Sequence, residues 1–139
     1  MVGNFKKPRI LIADDNFIIR DLIRSFYEAY NFELIEAVNG QEAVDMALAC
    51  KFDLILLDIQ MPVLNGYEVA AILKNDKDVK DIPIVVITCK ERGEVENRIN
   101  GMYNGYVNKP FKKAHLMKAT MNYLQRSIHK NREMQKGTV

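Results

Sequence analysis

Four short apolar segments divide this chain, and each of them stops at a polar residue. They are Ile10–Ala13 before Asp14 and Asp15, Leu54–Leu57 before Asp58, Ile84–Ile87 before Thr88, and Tyr106–Val107 before Asn108 and Lys109. Runs this short and rich in Ile, Leu and Val are typical of strands that are buried on both faces of a parallel sheet. Neighbouring parallel strands place their carboxyl ends at one crevice, where open α/β sheets bind ligands. We therefore expect the polar residues at these ends to share one site.

Between the apolar segments the hydrophobic period changes to that of a helix. A fifth apolar segment, Phe32–Ile35, fits a further strand. The helical stripes are Ile19, Leu22, Ile23, Phe26 and Tyr30; Ala43, Val44, Ala47 and Leu48; Val69, Ile72 and Leu73; and Leu116, Ala119, Tyr123, Leu124 and Ile128. Residues 91–104 have a thin stripe and several Gly and Asn, so the fourth helix is predicted to be short or mobile. The alternation predicts five parallel strands and five helices, with helices on both faces of the sheet.

Size and charge narrow the class of protein. A chain of 139 residues fits a single domain with a real hydrophobic core. The net charge of +2 hides an acidic body and a basic end, because residues 112–139 hold seven Lys or Arg and one acidic residue. A domain of this charge lacks the basic surface that is typical of nucleic-acid-binding proteins. No run of about 18 apolar residues and no signal-peptide pattern occurs, so we expect no membrane association and a cytoplasmic location.

The cysteines and histidines predict neither a disulfide framework nor a zinc site. Cys50 and Cys89 lie far apart in the sequence without a paired spacing, and the same is true of His115 and His129. In a reducing compartment the two thiols are predicted to stay unpaired.

Three of the strand-end residues are carboxylates. Asp14, Asp15 and Asp58 are expected to lie within a few ångströms of one another, and two such charges about 4 Å apart repel by roughly 4 kcal/mol at an effective dielectric constant of 20. A bound cation removes this conflict, and Mg²⁺ is typically held by one or two carboxylates plus phosphate oxygens. The alternative for Asp14 and Asp15 is that they only cap, with Asn16, the helix beginning near Phe17. Asp58 at the end of an apolar strand favours the magnesium and phosphoryl site.

Two further strand-end residues fit a phosphoryl group. The ammonium of Lys109 could contact a phosphoryl oxygen as a point charge. The Thr88 hydroxyl could donate to the same group, and a local hydrogen bond at the end of its strand is the alternative. The Lys109–Pro110 peptide bond is a candidate for the cis form, which would turn the lysine inward.

Together these residues closely resemble the receiver domain of bacterial two-component response regulators, of the stand-alone, chemotaxis-regulator-like kind. The resemblance rests on Asp14-Asp15, Asp58 with Met61-Pro62 and Gly66, Thr88, Tyr106 and Lys109-Pro110-Phe111, in order along the chain. It implies a flavodoxin-like (βα)5 three-layer α/β sandwich with strand order 2-1-3-4-5. It also implies a receiver domain over residues 8–128, which leaves residues 129–139 as a basic C-terminal helical extension or tail.

The resemblance implies that Asp58 is the phosphoacceptor. Asp15, Asp58 and the backbone carbonyl of Gln60 would hold Mg²⁺, with Asp14 contributing directly or through water. The chemistry would be phosphoryl transfer to a carboxylate nucleophile by positioning and charge neutralisation.

The resemblance also implies a conformational switch. Thr88 and Lys109 would bind the phosphoryl oxygens, and Tyr106 would turn inward as Thr88 moves. Gln60 and Lys90 would tune the rate of dephosphorylation. The surface of the fourth helix, fifth strand and fifth helix would then change for partner binding.

The partners implied are a sensor histidine kinase or a histidine phosphotransfer protein as phosphoryl donor, and a downstream protein target. No enzyme activity is expected beyond autophosphotransfer and autodephosphorylation. About ten residues follow the fifth helix, too few for an output domain, so we expect a stand-alone receiver or a receiver fragment. The basic segment Arg126–Lys136 is either a solvated helix end or a surface for partner docking.

Two other classes of protein share parts of this pattern. A Mg²⁺-dependent phosphatase of the haloacid dehalogenase type also has an aspartate nucleophile after an apolar strand, but it needs an acid two residues later, where Gln60 stands. A flavin-binding module of the same fold would cradle a phosphate after the first strand, and Asp14-Asp15 would repel that phosphate. Both are therefore disfavoured.

Overall fold

Strands and helices alternate along the whole described chain, which in this computed structural model comprises residues 7–136. The strands are β1 (Arg9–Ala13), β2 (Glu33–Ala37), β3 (Leu54–Leu57), β4 (Ile84–Thr88) and β5 (Gly105–Asn108). The helices are α1 (Phe17–Phe26), α2 (Gly40–Ala49), α3 (Gly66–Lys74), α4 (Arg92–Ile99) and α5 (Lys113–Lys136). The five predicted strands and five predicted helices are confirmed. Within residues 7–136, no helix combines the length and the hydrophobicity that a bilayer span requires.

All five strands are parallel and lie in the order β2-β1-β3-β4-β5. This is the flavodoxin-like (βα)5 arrangement, so the predicted fold class and strand order are confirmed. The direction of winding reverses between β1 and β3, which are paired with Ile10 beside Leu54 and Ala13 beside Leu57. The carboxyl ends of these two strands therefore open into the crevice where such sheets bind ligands.

The sheet is buried on both faces because successive strand residues alternate between two apolar layers. One layer packs against α2, α3 and α4 and contains Leu11, Ile55, Leu57, Ile84, Val86, Ala43, Val69, Val95 and Ile99, among others. The other packs against α1 and α5 and contains Ile10, Ile12, Leu54, Leu56, Val85, Ile87, Ile23, Leu116 and Leu124, among others. Continuous apolar strands are what such a three-layer sandwich requires.

Some residues of the predicted helical stripes are on the surface instead. Leu22, Tyr30, Leu48 and Ile72 are 39%, 42%, 49% and 40% exposed. The prediction was wrong for Leu22, Leu48 and Ile72 because a helix presents only the centre of its apolar arc to the sheet. Tyr30 lies beyond the end of α1, and its ring stacks on Phe32 with centroids 5.2 Å apart.

The fourth helix is short, as its composition predicted, with 8 residues. Only Val95 and Ile99 are buried, and the N-cap residue Glu91 makes no side-chain capping hydrogen bond. The chain leaves the helix at Asn100 and turns at Gly101, whose φ of 79° lies in the left-handed region that glycine adopts easily. Helix α4 is therefore weakly anchored by apolar burial.

Helix α5 continues from Lys113 to Lys136, across the predicted domain boundary at residue 128. Residues 137–139, and the side chains of residues 130–136, lie outside the described part of the structure. The role of the basic end as a solvated helix terminus or a docking surface therefore stays a prediction.

A buried pair of hydroxyls joins α5 to the end of α1, and no sequence pattern predicts it. The Tyr27 hydroxyl and Thr120 Oγ1 are 2.6 Å apart, and Thr120 Oγ1 also donates to the Leu116 carbonyl at 2.8 Å. Tyr27 is therefore the donor to Thr120. Burial raises the pKa of Tyr27 to about 12, against the opposing effect of the bond to Thr120, so its proton is retained.

We expect Thr120→Val to lower the free energy of unfolding by about 1–3 kcal/mol, because it leaves the buried Tyr27 hydroxyl without an acceptor. Tyr27→Phe is the matched control and should lose less, since Thr120 keeps its bond to the helix. Urea unfolding of both single variants and of the double variant measures the difference. Equal losses in the two single variants would contradict this account of the pair.

Candidate functional site

The carboxyl ends of β1 and β3 bring two aspartates side by side. The Asp14 amide donates to the Ala37 carbonyl at 3.2 Å and the Asp58 amide donates to the Ala13 carbonyl at 2.9 Å, so sheet pairing continues one residue beyond each strand. Asp14 and Asp58 are buried, whereas Asp15 is exposed. One oxygen of each carboxylate lies within 4.8 Å of the others, so the three residues could hold a metal ion.

The side-chain cap of α1 is Asn16. Its Oδ1 accepts from the amides of Ile18 at 2.9 Å and Ile19 at 3.3 Å. Asp14 Oδ1 accepts from the Asn16 amide at 2.8 Å, which leaves its other oxygen, Oδ2, facing the crevice and Lys109. Capping therefore does not account for the pair Asp14-Asp15. Of the three residues considered as helix caps, only Asn16 has this role.

A buried arginine holds the backbone of Asp14. Arg20 Nη1 donates to the Asp14 carbonyl at 2.8 Å, and Arg20 Nε pairs with Glu36 at 2.8 Å. Arg24 also contacts Glu36, at 2.7 Å. Burial would raise the pKa of Glu36, but its bonds to the two arginines outweigh burial and lower that pKa. Arg20 was not predicted from the sequence; its signal was an arginine among the apolar residues of α1, beside Ile19 and three positions before Ile23.

Lys109 closes the site from the end of β5. Its Nζ lies 2.7 Å from Asp14 Oδ2 and 3.1 Å from Asp58 Oδ2, and its side chain is only 13% exposed. Its amide donates to the Thr88 carbonyl at 2.8 Å, and the Lys109–Pro110 peptide bond is cis. One ammonium therefore bridges two of the three clustered carboxylates.

The charges at the site are not balanced. Burial raises the pKa of Asp58; Lys109 acts against this rise and the charge of Asp14 adds to it. Burial would lower the pKa of Lys109, but the hydrogen bond to Asp14 and the charges of Asp58 and Asp14 together raise it. Three carboxylates and one ammonium leave an excess of negative charge, which a divalent cation such as Mg²⁺ would neutralise.

Thr88, Lys90 and Tyr106 are connected beside this site. Thr88 is fully buried, and its Oγ1 accepts from the Lys90 amide at 3.2 Å, so the local strand-end bond considered above is present. The Tyr106 hydroxyl donates to the Lys90 carbonyl and accepts from Asn108 Nδ2 at 2.7 Å. Tyr106 is thus tied to the loop that leads from β4 into α4.

The turn after Asp58 contains Gln60, the last of the predicted site residues. The Gln60 amide donates to Asp58 Oδ1 at 3.3 Å, while the residue itself is exposed. The Gly66 amide donates to the Ile59 carbonyl at 2.8 Å, which folds the turn back onto β3. The side chains of Asn65 and Glu68 then form a capping box that begins α3.

The family that the chain matches, and the proteins that it resembles, are consistent with the geometry of this site. Residues 10–121 match the response regulator receiver domain. The chain is 34% identical over 116 residues to the polar-differentiation response regulator DivK of Brucella anthropi, covering 83% of this chain and 94% of DivK. It is 40% identical over 108 residues to the transcriptional regulatory protein ResD of Bacillus subtilis, covering 76% of this chain and 43% of ResD. The chain also spans 58% of the probable transcriptional regulator ycf29 of Pyropia yezoensis, at 33% identity over 91% of its own length.

Solved structures show the same fold. The chemotaxis response regulator CheY4 of Vibrio cholerae matches with a TM-score of 0.76 at 28% identity, covering 88% of this chain and 99% of CheY4. The receiver domain of the sensor histidine kinase PA1611 of Pseudomonas aeruginosa, solved with a magnesium ion in its active site cleft, matches with a TM-score of 0.75 at 29% identity, covering 89% and 99% of the two chains. The chain therefore belongs to the response regulator receiver domains, the phosphoacceptor modules of two-component signalling.

Proposed function

We propose that this receiver is phosphorylated on Asp58 and that the phosphoryl group changes the surface formed by α4, β5 and α5, where a downstream protein binds. The observation that carries the proposal is the Lys109 ammonium between Asp14 and Asp58, at the carboxyl ends of β1 and β3. The donor would be a phosphohistidine of a sensor histidine kinase or a histidine phosphotransfer protein. The proposed location is the cytoplasm, where such phosphohistidines are made from ATP.

In the proposed reaction an oxygen of the Asp58 carboxylate forms a bond to phosphorus as the P–N bond to the donor imidazole breaks. The electron pair of that bond leaves with the imidazole nitrogen, which takes up a proton from solvent. Asp14, Asp15, Asp58 and the Gln60 carbonyl would hold Mg²⁺, which when bound neutralises charge on the phosphoryl oxygens. Lys109 already lies 3.1 Å from the acceptor carboxylate and would contact the same oxygens.

Thr88 and Tyr106 would link the site to the surface. The Thr88 hydroxyl accepts from the Lys90 amide, so its own proton is available for a phosphoryl oxygen. A shift of Thr88 would alter the loop whose Lys90 carbonyl holds the Tyr106 hydroxyl. Gln60 and Lys90, which flank the site on the loops after β3 and β4, would set how long the phosphoryl group persists. We propose no activity beyond this phosphotransfer and dephosphorylation.

The proposal is tested by incubating the protein with acetyl phosphate and measuring its intact mass. With Mg²⁺ we expect one phosphoryl group per chain, and with EDTA we expect none, because three clustered carboxylates repel an anionic donor. Circular dichroism in EDTA provides the control that the fold is retained. Incorporation that is undiminished in EDTA, or a second phosphoryl group, would overturn the proposal.

Lys109→Ala should separate phosphorylation from its conformational effect. We expect the variant to accept a phosphoryl group more slowly and to lose the change in amide hydrogen exchange over residues 88–108 that phosphorylation causes in the wild type. The physical reason is that no ammonium then draws the phosphoryl oxygens toward the end of β5. Lys112→Ala, at an exposed lysine nearby, is the control and should respond as the wild type does. A full exchange response in Lys109→Ala would show that Lys109 has no switching role.

A further inference from the structure

Helix α4 is held in place largely by aromatic side chains. It buries only Val95 and Ile99, but four of its polar side chains contact tyrosines from other parts of the fold. Glu94 accepts from Tyr67, Arg98 lies over the Tyr67 ring, Glu96 accepts from Tyr103, and Arg92 lies over the Tyr106 ring. The position of α4 therefore depends on contacts of modest energy that a small movement can change.

Tyr67 makes two of these four contacts. Its hydroxyl donates to Glu94 Oε2 at 2.9 Å, and the Arg98 guanidinium lies 4.4 Å from the centre of its ring. Glu94 and Arg98 are four positions apart, so they lie one above the other on the same face of α4. A single side chain thus touches both the first and the last turn of this helix and fixes its rotation about its own axis.

The Tyr67 hydroxyl acts as a permanent donor. Burial raises the pKa of Tyr67 to about 12, and the hydrogen bond to Glu94 and its charge act in the same direction. The tyrosine is 8% exposed, so its ring is fixed by packing in the layer between the sheet and α2, α3 and α4.

Tyr67 is also attached to the phosphoacceptor loop. It follows Gly66, the first residue of α3, whose amide donates to the Ile59 carbonyl at 2.8 Å. There is no room for even one methyl group between Gly66 and the backbone of Asp58 and Ile59. The first turn of α3 must therefore follow any displacement of the residues after Asp58.

We propose that Tyr67 is a positioning residue that couples the loop after Asp58 to α4, so that ligation of Asp58 reaches the α4 surface through α3 as well as through Thr88 and Tyr106. This inference rests on the proposed function, because it concerns how the same phosphorylation changes the same surface. Packed helices such as α3 and α4 shift between discrete arrangements. A ligand favours the arrangement with which it makes the stronger contacts.

The test compares two variants. Each of them removes a tyrosine hydroxyl that donates a hydrogen bond to a glutamate of α4. Tyr67→Phe breaks the bond to Glu94 from the phosphoacceptor side, and Tyr103→Phe breaks the bond to Glu96 from the segment after α4. Amide exchange of residues 92–99 is measured with and without beryllofluoride and Mg²⁺, and fluorine NMR reports beryllofluoride binding. Both variants should exchange faster than the wild type when unliganded, by roughly fivefold, which corresponds to the loss of one hydrogen bond of ordinary strength.

The two variants should differ in their response to beryllofluoride. We expect Tyr103→Phe to keep the wild-type change in α4 exchange and Tyr67→Phe to keep less than half of it. Glu94→Gln, which retains an acceptor oxygen for Tyr67, should respond as the wild type does, whereas Glu94→Ala should behave as Tyr67→Phe.

A response in Tyr67→Phe equal to that of Tyr103→Phe would overturn the role of Tyr67 and leave the proposed function intact. A wild-type protein that binds no beryllofluoride would contradict the proposed function itself. If beryllofluoride bound the wild type without altering amide hydrogen exchange in α4, this result would overturn coupling of the site to α4 by any path.

Discussion

We expect Asp58→Asn to take up no phosphoryl group from acetyl phosphate, whereas the wild type should take up one. The amide has the shape of the carboxylate but lacks the anionic oxygen that attacks phosphorus. Asp53→Asn is the matched control, because Asp53 lies at the opposite end of the same strand, where it accepts from the Arg9 amide at 2.7 Å. That variant should be phosphorylated at the wild-type rate. A phosphoryl group found on Asp58→Asn would mean that another residue is the acceptor.

The same substitution should not weaken the fold. Because the pKa of Asp58 is raised, the folded protein binds more protons than the unfolded chain between the ordinary carboxyl pKa of 3.8 and the raised one. Stability therefore falls as the pH rises through that interval, and at neutral pH the Asp58 charge opposes folding. Asparagine removes this charge and keeps an oxygen to accept from Lys109. We expect a urea midpoint at pH 7 in EDTA that is equal to or above that of the wild type, and a lower midpoint would contradict the charge imbalance at the site.

The central strands could be predicted almost to the residue. Leu54–Leu57 is a strand with the predicted bounds, and β4 differs from its prediction only by including Thr88. Both strands are covered on two faces, so every residue apart from Thr88 is apolar, and the apolar run itself marks the ends of the strand. The edge strand β2 was predicted over Phe32–Ile35 and lies at Glu33–Ala37. It is half-exposed, and Glu36, which pairs with two arginines, interrupts the pattern on which the prediction relied.

The candidate site could be predicted as a set of residues but not as a set of contacts. Parallel strands in register converge at one edge, and this is enough to bring Asp14, Asp58 and Lys109 together. The bonds that Thr88 and Tyr106 make to Lys90 depend on the path of one loop, which no sequence pattern specifies.

Hydrogen-bond partners that lie far apart in the sequence could not be predicted. Tyr67 and Glu94 are 27 positions apart, and Tyr27 and Thr120 are 93 apart. Tyr67 occupies a buried position in α3 and Tyr27 a buried position directly after α1, where a hydroxyl changes neither the period nor the composition. Only the packing of one helix against another decides which acceptor lies at the end of the ring.

Gly66→Ala should damage both the fold and the proposed phosphorylation site. A Cβ at this position would lie 2.7 Å from Ile59 Cα and closer still to the Asp58 carbonyl oxygen, which are backbone atoms that cannot rotate away. Relief requires α3 to move off the turn, which would break the bond from the Gly66 amide to Ile59 and displace Asp58. We expect a loss of about 3 kcal/mol in the free energy of unfolding, at the upper end of the range for overpacking, together with slower phosphoryl uptake from acetyl phosphate.

Gly93→Ala is the matched control for this substitution, since Gly93 lies within α4 and a Cβ there meets nothing within 4 Å. Alanine restricts the unfolded chain and favours the helix, so this variant should gain about 0.5–1 kcal/mol. Urea unfolding monitored by circular dichroism gives both values, and the opposite signs separate a steric effect from a general effect of removing glycine. If Gly66→Ala unfolded at the wild-type midpoint, α3 would be free to shift without moving Asp58, and the close approach of Gly66 to the backbone of Asp58 would have no structural consequence.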